Sequence, residues 1–179
     1  MRRIAILAEG AFAWRTAKTA TGVIRYSKDQ VVAVIDSTRM GKDVSQVLSV
    51  GIGIPIVRDI HEALSYQPDT LMIGIAPVGG ALPAEWRWQL LTAIEAGLDI
   101  ISGLHFFLAD DEELRAAAEK YGVAIWDVRR PPEQQRVATF TPHRLGSRTI
   151  LMVGSDCAVG KMTAALEILS ADGRRNGAR

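Results

Sequence analysis

LMIGIAPVGG, residues 71–80, sets six apolar or small residues before Pro77 and a Gly79-Gly80 pair. A run of this length, apolar on both of its alternating faces, fits a strand buried on two sides. That is the environment of a parallel sheet. Working outward, Ile4–Leu7 runs into Glu9-Gly10, and Val31–Ile35 (VVAVI) ends at Asp36. Asp99–Leu104 (DIISGL) follows Gly97, and Val123–Val128 (VAIWDV) follows Gly122. Between the runs the pattern is helical. Trp86 to Ala96 is periodic, and Asp110 to Tyr121 opens with a capping box, Asp110 with Glu113, and closes at Gly122. Repeated strand–helix alternation predicts an α/β fold: a doubly wound, parallel, Rossmann-like domain over residues 1–128, with right-handed crossovers.

Composition sets outer bounds. The chain has 179 residues, 48% hydrophobic and 23% charged, which is ordinary globular composition. Its net charge of +1 offers no general attraction to nucleic acid or to an anionic membrane, so neither is expected as a partner. The single cysteine, Cys157, excludes an intrachain disulfide and fits a reducing, cytoplasmic setting. The opening MRRIAILAEG is too short for a signal-peptide core with its cleavage site, and no apolar stretch approaches the ~20 residues of a membrane span.

Residues 129–148, RRPPEQQRVATFTPHRLGSR, break the rhythm with paired prolines and several arginines and read as a linker. Thr149–Val153 (TILMV) then reads as a new strand, followed by a glycine-rich loop and a helix over Met162–Leu169. The loop comprises Gly154, Ser155, Asp156, Cys157, Ala158, Val159, Gly160, Lys161, Met162 and Thr163. Strand, glycines, lysine and helix in that order are the setting of a phosphate-binding loop (Walker A). Glycines let backbone N–H groups turn toward phosphate oxygens, the helix N-terminus adds partial positive charge, and Lys161 adds a full one. Residues 149–179 are therefore expected to be the first strand, loop and helix of a truncated P-loop domain. Two departures from the common motif matter. The glycines are separated by one residue more than usual, a spacing similar to that of dethiobiotin synthetases. Met162 also stands where a serine or threonine hydroxyl ordinarily holds Mg²⁺, and a thioether is a poor ligand for that hard cation. Thr163, about 100° further round the helix, would approach from another side. Cys157 is either a nucleophile favoured by the lysine and the helix end or a small residue fitting a tight loop.

Ligands of open α/β sheets sit at the carboxyl ends of the strands. Those ends carry a possible second ligand site: Asp36, Arg39, Lys42, Gly79 and Gly80. Asp36 is a ribose ligand or a polar strand terminus. Arg39 and Lys42 meet phosphates or are surface charges. Gly79-Gly80 presents amides to an anion or makes a turn. His105 is a catalytic base or a turn histidine. The loop after the first strand, AEGAFAWRTAKTATG, lacks G-x-G-x-x-G and so does not support a standard dinucleotide site. No metal site is expected. Trp14, Trp86, Trp88 and Trp126 read as packing residues.

Three segments carry a family resemblance: VIRYSKDQVVAVIDSTRMGK (23–42), ISGLHFFL (101–108) and GSDCAVGKMT (154–163). Together they resemble the D-glutamate N-acetyltransferase family, in which a Rossmann-like domain precedes a P-loop domain. The first half is also similar to CoA-binding Rossmann-like domains. The resemblance implies an acetyl-CoA-dependent N-acetyltransferase acting on an acidic amino acid such as D-glutamate, with the 154–163 loop on the cofactor's phosphates. A homo-oligomer is expected as well. Members are about twice this length, so the chain is expected to be a fragment without activity by itself. Two alternatives stay open. One is an ATP- and Mg-dependent ligase or kinase of the dethiobiotin-synthetase kind. The other is a non-enzymatic nucleotide-binding or assembly module.

Overall fold

Six short apolar strands form one sheet in which every strand pair runs parallel. They are β1 (Arg3–Leu7), β2 (Gln30–Ile35), β3 (Ile56–Val57), β4 (Thr70–Ile73), β5 (Asp99–Ser102) and β6 (Ile125–Asp127), in the order β3-β2-β1-β4-β5-β6. The computed structural model describes residues 1–133, 146, 148–156 and 159–176. The chain divides into two units, Met1–Arg130 and Pro131–Arg179. The strand order is that of the dinucleotide-binding fold, and the expected Rossmann-like α/β architecture is what the first unit has.

Consecutive residues of β1 point to opposite faces, and Ile4, Ala5, Ile6 and Leu7 are all buried. Both faces of the sheet are therefore covered. The covering helices are α1 (Lys18–Tyr26), α2 (Ser45–Leu48), α3 (Ile60–Leu64), α4 (Arg87–Glu95) and α5 (Glu112–Tyr121). Helix α1 approaches the sheet closely at one point. A Cβ on Gly74, just past β4, would lie 2.3 Å from Ile6 Cγ2 and 2.9 Å from Ala20 Cβ, and the Ala20 amide donates to the Gly74 carbonyl at 2.9 Å. Only glycine fits there.

Three expectations about the first unit need correction. A sixth strand, β3, went unpredicted because it is two residues long and follows Pro55. It is held from outside by residues 41–43, which return antiparallel: Gly41 N–H donates to Ile56 O and Ile56 N–H to Lys42 O. That return covers one edge of the sheet. Helix α5 is capped by Asp111, whose carboxylate accepts from Leu114 N–H at 3.1 Å, and not by Asp110. Glu113 instead accepts from Arg87 Nη1 at 2.8 Å. Of the four tryptophans only Trp86 is buried. Trp88 stacks on His61 and Trp126 lies beneath Arg2, both on exposed faces, while Trp14 borders an open groove of about 520 Å³ with Arg25, Val47, Leu48, Ser49 and Val50.

In the second unit α6 spans Lys161–Asn176, longer than the predicted helix and beginning one residue earlier. The expected strand at 149–153 does not form. A strand exists through hydrogen bonds to a neighbour, and no described residue pairs with this segment. Ile150, Leu151 and Val153 are each more than 70% exposed.

Two predictions follow from the packing of the first unit. Gly74→Ala must displace Ile6 or α1, and is expected to destabilise the chain by about 1–3 kcal/mol in urea unfolding. The second concerns Arg87, which grips Asp111 with both nitrogens, Nη1–Oδ1 at 2.9 Å and Nη2–Oδ2 at 2.6 Å. That pairing, with the Leu114 amide, holds the Asp111 carboxyl below the usual carboxylate range. A lowered pKa means stabilisation fully present above the unfolded value and lost as pH falls through the folded one. Asp111→Asn should therefore reduce stability at pH 7 and flatten its fall below about pH 4, a difference readable from urea midpoints across pH.

Candidate functional site

The carboxyl edge of the sheet comes first. The chain leaves β1 toward β2 on one side, while β4 lies on the other, so the switch point falls between the loops after β1 and β4. In dinucleotide-binding folds a glycine-rich turn there aims a helix N-terminus at pyrophosphate. Here the loop is Ala8–Ala17. Its Phe12 is wholly buried, and the Ala20 amide in the first turn of α1 is donated to Gly74 O.

Asp36, at the end of β2, is fully buried. Its Oδ1 accepts from Gly10 N–H at 3.2 Å, Thr38 N–H at 3.0 Å and Thr38 Oγ1 at 2.6 Å, while Oδ2 accepts from Phe12 N–H at 3.0 Å. Three of these bonds converge on Oδ1 and the fourth reaches Oδ2, so both oxygens of the buried carboxylate are engaged from within the protein. Of the two readings open in the sequence, this geometry fits the strand terminus, turned inward to tie down the neighbouring loop. Arg39 reaches the same carboxylate at 3.9 Å from its half-exposed side chain. The Lys42 side chain is exposed. Glu9, beside them, accepts from Ser37 N–H and from its hydroxyl.

The loops after β4 and β5 do come together. Gly79 and Gly80 have φ of 81° and 67°, and the Gly80 carbonyl accepts from the His105 and Phe106 amides, each at 3.2 Å. His105 is exposed and lies against Gly80. The same carboxyl edge is closed on its far side by Asp127, the last residue of β6. Its carboxylate accepts from Leu108 and Ala109 N–H, both at 3.0 Å. Nothing about the residue order marks this role, since Asp127 sits inside an apolar run as Asp36 sits at the end of one.

The glycine-rich loop belongs to the second unit. Cys157 and Ala158 lie outside the described residues. Around them, Gly160 has φ of 94° and Lys161 opens α6. The Lys161 stem passes 3.3 Å from where a Gly154 Cβ would stand, and Val159 Cγ2 is 2.8 Å from that point, so a side chain there would have to displace Val159. Lys161 Nζ donates to Asp156 O at 2.5 Å, engaging one of its three donors. Ser155, Met162 and Thr163 are exposed. Among the described residues no group of three or more His, Cys, Asp or Glu is placed to hold a metal ion, and no helix is long and apolar enough to cross a membrane.

With this geometry in view, comparison with known proteins places the fold in a family. Residues 37–131 match the model of a Rossmann-like domain of unknown function, DUF1611_N. The chain belongs to the DUF1611_N family. A crystal structure of a DUF1611 family protein from Anabaena variabilis ATCC 29413 superposes with a TM-score of 0.87 at 37% identity, covering 98% of this chain and 51% of that one. A D-glutamate N-acetyltransferase of Tritonibacter scottomollicae is 36% identical over 150 residues, 84% of this chain and 42% of that protein. One from a Pseudoalteromonas species is 34% identical over 117 residues, 65% and 35% of the two lengths. The chain spans less than half the length of the curated relatives it matches.

The role of Asp36 is testable apart from any ligand. Asp36→Ala strands the Phe12 amide without an acceptor and should cost about 1–3 kcal/mol in urea unfolding. Faster hydrogen exchange at Gly10 and Phe12 should accompany it, with exchange in β5 following only the global loss of stability.

Proposed function

We propose that this chain supplies parts of an N-acetyltransferase that moves the acetyl group of acetyl-CoA onto the amine of D-glutamate. The observation that carries the reading is the 36% identity, across 84% of the chain, to a protein named for that activity. The 154–163 loop supports it from chemistry. CoA bears a pyrophosphate and a further phosphate, so a loop that only binds phosphate is enough. Lys161 and the amides from Ser155 to Gly160 would hold those phosphates. Met162, 63% exposed where a Mg²⁺-holding hydroxyl would stand, makes the loop a poor Mg·ATP site.

Acetyl-CoA, when bound, supplies the thioester. The D-glutamate amine is nucleophilic only without its proton. As its nitrogen bonds to the acetyl carbon, the carbon–sulfur bond breaks and CoA leaves as its thiolate, which receives the proton that the base takes from the amine. The amine's proton must be taken up by a base. His105 is the histidine on the ligand-bearing edge of the first unit, and we assign it that role.

Isothermal titration of the chain with acetyl-CoA, and separately with ATP plus Mg²⁺, tests the reading. Acetyl-CoA is expected to bind without Mg²⁺. Lys161→Ala, which deletes a charge-assisted contact worth roughly 1.5–3 kcal/mol, should weaken it about 10- to 150-fold. Mg²⁺-dependent ATP binding with no response to acetyl-CoA would favour the ligase–kinase alternative, which the spacing of Gly154 and Gly160 suits.

A further inference from the structure

Gly79 and Gly80 are adjacent, and both have the left-handed backbone that favours glycine, with φ of 81° and 67°. Their surroundings differ. A Cβ built on Gly79 meets nothing within 4 Å. One built on Gly80 would lie 2.7 Å from His105 Cδ2, 3.0 Å from His105 Cβ and 3.2 Å from His105 Cγ. The imidazole thus occupies the space that a side chain at residue 80 would take. The backbone fixes the same contact from a second direction, since Gly80 O accepts from both His105 N–H and Phe106 N–H. On the other side of His105, Leu104 is buried and its amide donates to Ser102 Oγ at 3.2 Å. Gly80 is itself anchored, its N–H donating to Pro77 O at 2.9 Å. An exposed histidine ring would ordinarily sample several rotamers. Here one edge of it rests on a backbone that is hydrogen-bonded at both ends.

We propose that Gly80 is a positioning residue: its missing side chain is the seat of the His105 imidazole, and it sets which way that ring faces at the carboxyl edge of the sheet. The inference rests on the reading of His105 as the base only for its bearing on the reaction. The seat itself is a structural claim. A base must present one nitrogen toward the amine within hydrogen-bond reach, so ring orientation matters as much as proximity.

The glycine pair contains its own control. Gly79→Ala carries the left-handed backbone penalty without touching His105, whereas Gly80→Ala carries that penalty and fills the seat. The imidazole C–H resonances of the chain are recorded by NMR, with His105 assigned by their loss in His105→Ala. Gly80→Ala should move the His105 Cδ2–H resonance, and Gly79→Ala should leave it in place. An unmoved resonance in Gly80→Ala, or equal movement in both variants, overturns the proposal. Should Gly80→Ala not fold, the double variant Gly80→Ala/His105→Ala decides. Recovery to the thermal midpoint of Gly79→Ala supports the seat, and failure to recover overturns it. Titrating the unaltered chain with D-glutamate tests the base assignment separately. A His105 resonance that moves in Gly80→Ala but ignores D-glutamate removes His105 from the reaction while leaving the seat intact.

Discussion

A buried carboxylate must be surrounded by donors, and much of the sheet's carboxyl edge is arranged to meet that demand at Asp36. Burial without partners would cost several kcal/mol. The loop after β1 therefore curls so that the Gly10 and Phe12 amides reach Oδ1 and Oδ2, and in doing so it drives Phe12 into the core. With Phe12 inside and α1 resting on Gly74, the loop after β1 is committed to packing against its own domain. The strand order is that of dinucleotide-binding domains, but the first loop serves the core.

Asp127 repeats the device on the other flank, holding the Leu108 and Ala109 amides from the end of β6. At the opposite edge Asp29 accepts from Arg2 N–H, Asp69 from Arg3 N–H and Asp99 from Ala124 N–H. Each of these aspartates ties one strand to its neighbour where the ladder of backbone bonds ends. The sheet is thus trimmed at both ends by carboxylates. This leaves the loops after β4 and β5, which no such aspartate pins together, to meet through Gly80 and His105.

The strands were legible because a strand buried on both faces leaves an unbroken apolar run, as in Val31–Ile35. β3 was not, since Ile56 and Val57 pair for only two residues and depend on a return of the chain at Gly41–Asp43. The shift of the α5 cap from Asp110 to Asp111 was invisible for a similar reason: Arg130, beyond β6, takes Asp110, while Arg87, on another helix, holds Asp111 beside the Leu114 amide. At the sites, the glycine-rich loop stands out in the sequence by its spacing and its lysine, but the strand expected before it does not form. The inward turn of Asp36 was not, because a polar residue closing a strand looks the same whether it faces solvent or its neighbour's amides. The contact between Gly80 and His105 was equally hidden. Both residues were candidates, but each sits in its own loop, and only the β4–β5 pairing brings the loops together.

The position of β1 has a consequence for how the domain is made. Of the six strands of this sheet it is made first and yet is central, pairing with β2 on one side and with β4, through Ile4–Thr70 to Leu7–Ile73, on the other. During synthesis, which proceeds from the N-terminus, its apolar residues can be covered on one side early but lack their second neighbour until residue 73 has emerged. A sheet of this order closes from its middle only when its middle is translated. The nascent chain must carry an unsatisfied strand edge through more than half the length of its first unit.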